Sequence, residues 1–237
     1  MEKLRTRKML AFLKSKGECS LKELMAKFGV SSATIHRDVQ ELARRDAVSL
    51  VRGGIVFRGA EGGEDVAETG YDERFVANRR EKAAVAERAV PLVQEGDIIF
   101  LDSSTTTYEF AMRLRRENLL HLTVVSNSVA IMSLFRRLPS HWTMLGLGGS
   151  YDPQLHSLLG KSTIEALSLI NVTKAFVSAF GVDDRNVTTN HERQAELLRA
   201  VLSQAEKRYL LADHTKIGRV GIYKIIAKGA FDGIVTD

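Results

Sequence analysis

The chain has 237 residues, 44% hydrophobic and 27% charged, with a formal net charge of +5; that is an ordinary globular composition, long enough for one large domain and a small one. Its one cysteine, Cys19, excludes an internal disulfide framework and a CxxC metal pattern. There is no leader-like N-terminus and no apolar run near the length of a membrane span, so a cytoplasmic protein is expected.

Leu4, Met9, Leu10 and Leu13 form a helical stripe, read as a first supporting helix. The stretch from Ser20 to Arg45 then reads as two short amphipathic helices joined by a tight turn. Ser20 and Glu23 have capping-box spacing, and Leu21, Leu24, Met25 and Phe28 form the buried stripe of the first helix. Gly29 ends that helix, and Ser31 caps a second whose buried residues are Ile35, Val39 and Leu42. Ser31, Ser32, Ala33, Thr34, His36 and Arg37 fall on the face of the second helix near its N-terminus. In a helix-turn-helix reader that face enters the major groove, where small and hydroxyl side chains permit close approach and Arg can read guanine. Residues 48–57 alternate weakly around Gly53 and Gly54, a hairpin read as a wing that offers Arg52 and Arg58 to DNA.

Charge supports this reading. Residues 1–60 hold 13 Lys and Arg against 6 Asp and Glu, a net of +7, and residues 61–237 carry a net of −2. Phosphate contacts dominate nucleic-acid affinity, so excess positive charge confined to the first quarter is the expected footprint of a DNA-binding domain.

Residues 59–70 are Gly- and acid-rich and are read as a linker. A helix is expected from Asp72 to Val93, with Arg74, Asn78 and Lys82 on one face at four-residue spacing. From Asp97 onward, short apolar runs alternate with helical segments, which predicts a mostly parallel α/β sheet. The predicted strand ends are polar: Asp102 to Thr107, Ser126 to Ser128, Gly148 to Tyr151, Gly181 to Asp184, and Asp213 to Lys216. Ligands of open α/β sheets sit at such ends. Hydroxyls leading into a helix N-terminus suit an anion, most often phosphate, and the missing GxxxxGK pattern argues against a nucleotide hydrolase. Asp102, Ser103, Ser104, Thr105, Thr106, Asn127, Gly148, Gly149, Asp183 and Lys216 are the candidate effector-binding residues. The scattered histidines are not at metal-ligand spacing, so neither metal nor cofactor is expected.

Residues Ser20 to Gly54 resemble the DNA-binding domain of the DeoR family of bacterial transcriptional regulators, through Leu21, Glu23, Leu24, Phe28, Val30, Ser31, Thr34, Ile35, Arg37, Asp38, Leu42, Gly53 and Gly54. His36 stands where that family usually has Arg. The later strand ends resemble the family's effector domain: Asp102, Thr105 and Thr106 match D-x-G-T-T, with Ser104 in place of the Gly. Asn127 with Ser128, Gly148 with Gly149, Asp213 with Lys216, and Thr236 with Asp237 match its other pairs, and Gln194 replaces a frequent acid. The resemblance implies a ribose-5-phosphate isomerase-like effector domain and a final strand and helix beyond Asp237.

The expected architecture is therefore a winged helix-turn-helix domain over residues 1–58, a linker over 59–71, and an α/β effector-binding and oligomerisation domain over 72–237. The expected function is a non-enzymatic, DNA-binding repressor whose operator affinity is set by a phosphorylated sugar or related metabolite, acting as a homodimer or homotetramer with operator DNA as its partner. Two other readings stay open. One is a sugar-phosphate isomerase or deaminase using Asp102, Asp183, Asp213 and Lys216. The other is a DNA-binding protein whose pocket, altered by Ser104 and Gln194, is vestigial.

Overall fold

The computed structural model describes residues 4–16, 18–43, 48–51, 54–57 and 70–237. Contacts divide the chain into two compact units.

The first unit holds α1 (Leu4–Lys16), β1 (Glu18–Cys19), α2 (Leu21–Phe28), α3 (Ser32–Ala43), β2 (Val48–Val51) and β3 (Gly54–Phe57). The Ser20 hydroxyl accepts the Glu23 N–H at 3.2 Å, and the Glu23 carboxylate accepts the Ser20 N–H at 2.7 Å. This capping box satisfies two amide donors that a helix start would otherwise leave bare. At the other end Gly29 takes φ 64° and donates to the Met25 carbonyl at 2.9 Å; a side chain in that left-handed turn would be strained. Strands β1, β3 and β2 form an antiparallel sheet in that order. Met9, Leu13, Cys19, Leu24, Ile35, Val39, Leu42, Val48 and Ile55 make the core. A fully buried Leu or Ile contributes about 1.5–3 kcal/mol, so the helical pair is held mainly by this face. Arg5 Nε lies 2.5 Å from the fully buried Asp38 carboxylate and ties α1 to α3. The described strands fit the expected hairpin, but Arg52, Gly53 and Arg58 lie outside the described residues, as does nearly all of the expected linker.

The second unit begins with α4 (Tyr71–Val76) and α5 (Arg79–Ala89), followed by a 3-10 turn over Val90–Leu92. Next come β4 (Ile98–Leu101), α6 (Thr105–Leu114), β5 (Thr123–Ser126), α7 (Val129–Leu134) and β6 (Thr143–Gly146). A hairpin of β7 (Ser150–Asp152) and β8 (Ser157–Leu159) leads to α8 (Lys161–Leu167) and β9 (Lys174–Val177). The chain continues through β10 (Gly181–Val182), β11 (Asn186–Thr189), α9 (Glu192–Gln204), β12 (Lys207–Leu211), β13 (Tyr223–Ala227) and β14 (Gly233–Val235). Six of these strands build one sheet in the order β14-β12-β9-β4-β5-β6, parallel at every pairing. Its two faces are covered by separate apolar clusters, one around Val177, Leu198 and Val201, the other around Phe110, Val85 and Leu114. The apolar runs Ile98–Leu101 and Lys174–Val177 are central strands of this sheet and are almost wholly buried.

Two expectations change. The single helix from Asp72 to Val93 is two helices, because Ala77 is extended and Asn78 takes φ 50°. The fourth polar strand end is displaced as well. The central strand stops at Val177 and is followed by Ser178, whereas Gly181 already begins the small antiparallel sheet β10-β11-β13.

Candidate functional site

In the first unit, α3 presents Ser31, Ser32, Ala33, His36 and Arg37 to solvent, with Thr34 half-buried. The Ser31 carbonyl accepts the N–H groups of Thr34 and Ile35 at 3.0 Å each, and the Ser31 and Thr34 hydroxyls lie 3.0 Å apart. Hydroxyls and a guanidinium thus stand together on the first turns of a helix whose opposite face is locked into the core by Ile35, Val39 and Leu42. Asp38, adjacent in sequence to Arg37, points inward to Arg5 and holds α3 in place.

In the second unit, β4, β9 and β12 bring their carboxyl ends together. Asp102 follows β4 and is 1% exposed. Its Oδ1 accepts the Ser104 N–H at 3.1 Å and the Thr107 hydroxyl at 2.6 Å, and its Oδ2 accepts the Ser178 N–H at 3.0 Å. Burial pushes its carboxyl up, opposed by those hydrogen bonds. Asp102 therefore staples the loop after β4 to the end of β9. The Ser104 hydroxyl caps α6 by accepting the Thr107 N–H at 3.1 Å, so this side chain, present where the resembling family has Gly, turns onto its own helix.

Beside this loop lies a cavity of about 200 Å³. Ser103, Ser104, Thr105 and Lys216 line it, as do Arg74, Asn78, Lys82, Ser178, Phe180, Gln194, Asp213, Thr215 and Arg219. Lys216 Nζ donates to the Ser178 hydroxyl at 2.7 Å and lies 3.4 Å from the Thr106 hydroxyl. Lys82 is 4% exposed. It donates to the Arg74 and Ala77 carbonyls, the latter at 2.7 Å, and so fastens the end of α4. Burial, reinforced by the charge of Lys216, pushes its ammonium down to about 8. Asn78 donates to the Thr215 hydroxyl at 3.1 Å. Arg219 stacks over the Phe180 ring at 4.0 Å from its centroid. Among the described lining residues Arg74, Lys82, Lys216 and Arg219 face one carboxylate, Asp213; the positive balance and the hydroxyls at the start of α6 suit an anion.

Not every expected effector residue is in this cavity. Asp183 lies on the β10–β11 turn, where Oδ1 accepts the Arg185 and Asn186 N–H groups at 2.6 Å each; these bonds lower its carboxyl. Gly148 and Gly149 also lie elsewhere. The Gly148 carbonyl accepts the Thr163 hydroxyl at 2.7 Å. Gly149, at φ 151°, lets Thr163 and Leu159 approach so closely that a Cβ would meet them at 2.1 and 2.8 Å, so this glycine serves close packing. Asn127 is buried at the end of β5 and donates to the Leu158 carbonyl at 3.2 Å, outside the cavity lining. Thr106 is fully buried and touches the cavity only through Lys216. In return, Ser178, Phe180 and Arg219 enter the lining without a sequence signal, whereas Thr215 belongs to the expected strand end Asp213 to Lys216, and Arg74, Asn78 and Lys82 carried a signal in their spacing. Among the described residues no group of three His, Cys, Asp or Glu is placed to hold a metal ion, and no helix is long and apolar enough to cross a membrane.

Comparison with known proteins matches residues 5–60 to the DeoR-like helix-turn-helix domain and residues 77–237 to the DeoR C terminal sensor domain. An uncharacterized HTH-type transcriptional regulator of Escherichia coli K12, YgbI, is 32% identical over 232 residues, covering 97% of this chain and 87% of that protein. The HTH-type transcriptional repressor GlcR of Bacillus subtilis is 28% identical over 229 residues, covering 97% of this chain and 86% of its own. Among solved structures, ribose 5-phosphate isomerase A of Methanocaldococcus jannaschii superposes with a TM-score of 0.44 at 20% identity, over 60% of this chain and 55% of that one. With both halves matched in order and the first relative aligned over almost its whole length, the chain belongs to the DeoR family of transcriptional regulators.

Proposed function

We propose that this regulator is a repressor that grips operator DNA through the N-terminal turns of α3, and that a phosphorylated sugar or related anionic metabolite in the sensor cavity changes that grip. The observation that carries the effector reading is the cavity itself: Lys82 and Lys216, with Ser103 to Thr105 at the start of α6, surround a space of small-metabolite size. A relative named as a repressor supports the sign of regulation. A homodimer or homotetramer is expected, because one winged helix buries little DNA surface and linked half-sites raise affinity.

The test is a mobility-shift titration with the DNA upstream of the chain's own gene, repeated against a panel of sugar phosphates. Arg37→Ala is expected to weaken operator binding roughly 5- to 150-fold while the protein stays folded, since a bidentate Arg–base contact supplies about 1–3 kcal/mol. Lys216→Ala is expected to bind DNA as the parent does but to lose the metabolite response. Arg37→Ala with unchanged affinity would mean that the reading face is assigned wrongly. Product released from a sugar phosphate by the parent and not by Lys216→Ala would instead make the cavity an active site.

A further inference from the structure

The sensor domain holds a second, open hollow of about 590 Å³ that shares no lining residue with the cavity described above. One part of its wall is aromatic. Tyr71 and Phe75 from α4, Tyr108 from α6 and His156 from the β7–β8 turn line it. Their rings form an unbroken series, with centroids 5.2 Å apart from Tyr108 to Phe75, 6.1 Å from Phe75 to Tyr71 and 5.0 Å from Tyr71 to His156. The other part is cationic. Arg115 closes α6, and Arg136 and Arg137 follow the end of α7. All three are exposed, and the lining sets one carboxylate, Asp72, against them. None of the three guanidiniums has an ion-pair partner among the described residues, whereas the α5 and α6 carboxylates Glu87 and Glu109 pair with Arg113 and Arg79. A cation after a helix C-terminus complements the helix dipole. That accounts for the sign of each arginine but not for two helix ends converging on one hollow. Nor does it account for two buried polar atoms. Tyr71 is 8% exposed, and its hydroxyl, like His156 Nδ1, has no hydrogen-bond partner among the described residues; folded proteins pair nearly all such atoms.

Spacing selects the ligand. Tyr108 and Arg115 are seven residues apart on α6, two turns along one face, so the aromatic wall and the guanidiniums are separated by about 10 Å along the helix. A ligand that reaches both carries a flat ring at one end and several negative charges at the other. Guanidiniums match phosphate oxygens bidentately, and an aromatic wall takes a planar base by offset or edge contact. We propose that this hollow is a second ligand site, independent of the sensor cavity, for a nucleotide carrying two or more phosphates. Its volume lies within the range of small-molecule sites, about 300–1,000 Å³. The phosphates sit among Arg115, Arg136 and Arg137, and the base lies against Tyr108 and Phe75. The Tyr71 hydroxyl and His156 Nδ1 supply hydrogen bonds to its polar edge.

Calorimetry on the full-length protein at one salt concentration, with ATP, tripolyphosphate and adenosine, tests this. The parent should bind ATP at one site per chain, more tightly than tripolyphosphate and far more tightly than adenosine. Arg115→Gln and Arg136→Gln change exposed side chains and should leave the fold intact. Each should weaken ATP several-fold to about tenfold and lessen the salt dependence of its binding. Tyr71→Phe and Tyr108→Leu should weaken ATP but not tripolyphosphate, with thermal unfolding of the ligand-free variants confirming that they are folded. Lys216→Ala should bind ATP as the parent does, because the two sites share no residue, so failure of the sugar-phosphate reading would leave this site standing. A parent that binds no ATP, or that binds ATP and tripolyphosphate equally, would overturn the site. So would ATP binding that Arg115→Gln and Arg136→Gln leave unchanged, which would put the nucleotide on the basic first domain or in the sensor cavity.

Discussion

Lys82 shows how a single residue can link anion binding to pH. It is almost wholly buried, its ammonium donates to two carbonyls at the end of α4, and the charge of Lys216 adds to the cost of burial, so it loses its proton near pH 8 rather than near 10.5. Asp213 and Glu109 act in the opposite sense. The sign for stability follows from proton counting. Between about 8 and 10.5 the unfolded chain holds this proton more often than the folded one, so this group's contribution to stability rises with pH over that window. The sign for ligand binding is opposite. A phosphate dianion favours the charged lysine, so its affinity should be highest below pH 8 and fall above it, by at most about tenfold per pH unit for one linked proton. Calorimetry at pH 7, 8 and 9 measures this; Lys82→Met should bind more weakly at pH 7 and lose most of the pH dependence. A parent affinity that stays flat through pH 9 would detach Lys82 from the anion.

At the scale of elements, the break between α4 and α5 holds the cavity together. Arg74, Asn78 and Lys82 look like one helix face in sequence, yet the chain leaves the helix at Ala77 and re-enters it after Asn78 at φ 50°. Asn is one of the few residues that tolerate this left-handed conformation, and its amide reaches Thr215 across the cavity. Asn78→Leu should destabilise the sensor domain by about 1–2 kcal/mol from backbone strain, with the loss of the Thr215 bond adding to it. Asn78→Gly relieves the strain but still loses the bond, so urea unfolding of the two variants separates the terms. The same break shows where sequence reading reaches its limit. Helices α2 and α3 were legible because a capping box, a left-handed glycine and a 3.6-residue apolar period all agree over Ser20 to Leu42. The central strands were legible as unbroken apolar runs. The α4–α5 break carries no Gly or Pro, and its residues keep helical spacing through it. The hairpins β7–β8 and β10–β11 are too short and too polar for a period, and the shift of Asp183 from a strand end to a turn came from that. Asp102, Ser104, Lys216 and the Arg74 series were legible because their chemistry stands out at a predicted strand end or along one predicted face. Ser178 was not, since only the packing of β9 against β4 and β12 makes it a neighbour of Asp102 and Lys216.

At the scale of the whole molecule, positive charge and anion chemistry are divided between two jobs. Residues 1–60 carry a net of +7 and the remainder a net of −2, so attraction to DNA backbone resides in the first domain, and the second, negative overall, gathers Arg74, Lys82, Lys216 and Arg219 around its cavity. For a metabolite in the second domain to alter the first, it must bind the DNA-competent and DNA-incompetent states unequally. The coupling is then one free energy seen from both ends: if the metabolite weakens operator binding by some factor, operator DNA must weaken metabolite binding by that factor. Couplings of this kind run to about 1–3 kcal/mol, or roughly 5- to 150-fold. The check is to titrate the metabolite into the free protein and into the operator complex at one salt concentration, and to compare the ratio of affinities with the ratio from mobility shifts at zero and saturating metabolite. Salt must be held fixed because counterion release alone changes operator affinity steeply. Equal ratios close the cycle and tie the operator effect to the metabolite binding measured in the titration. A metabolite ratio of one, beside a large operator ratio, would break the thermodynamic box and show that the metabolite acts on DNA binding through something other than this cavity.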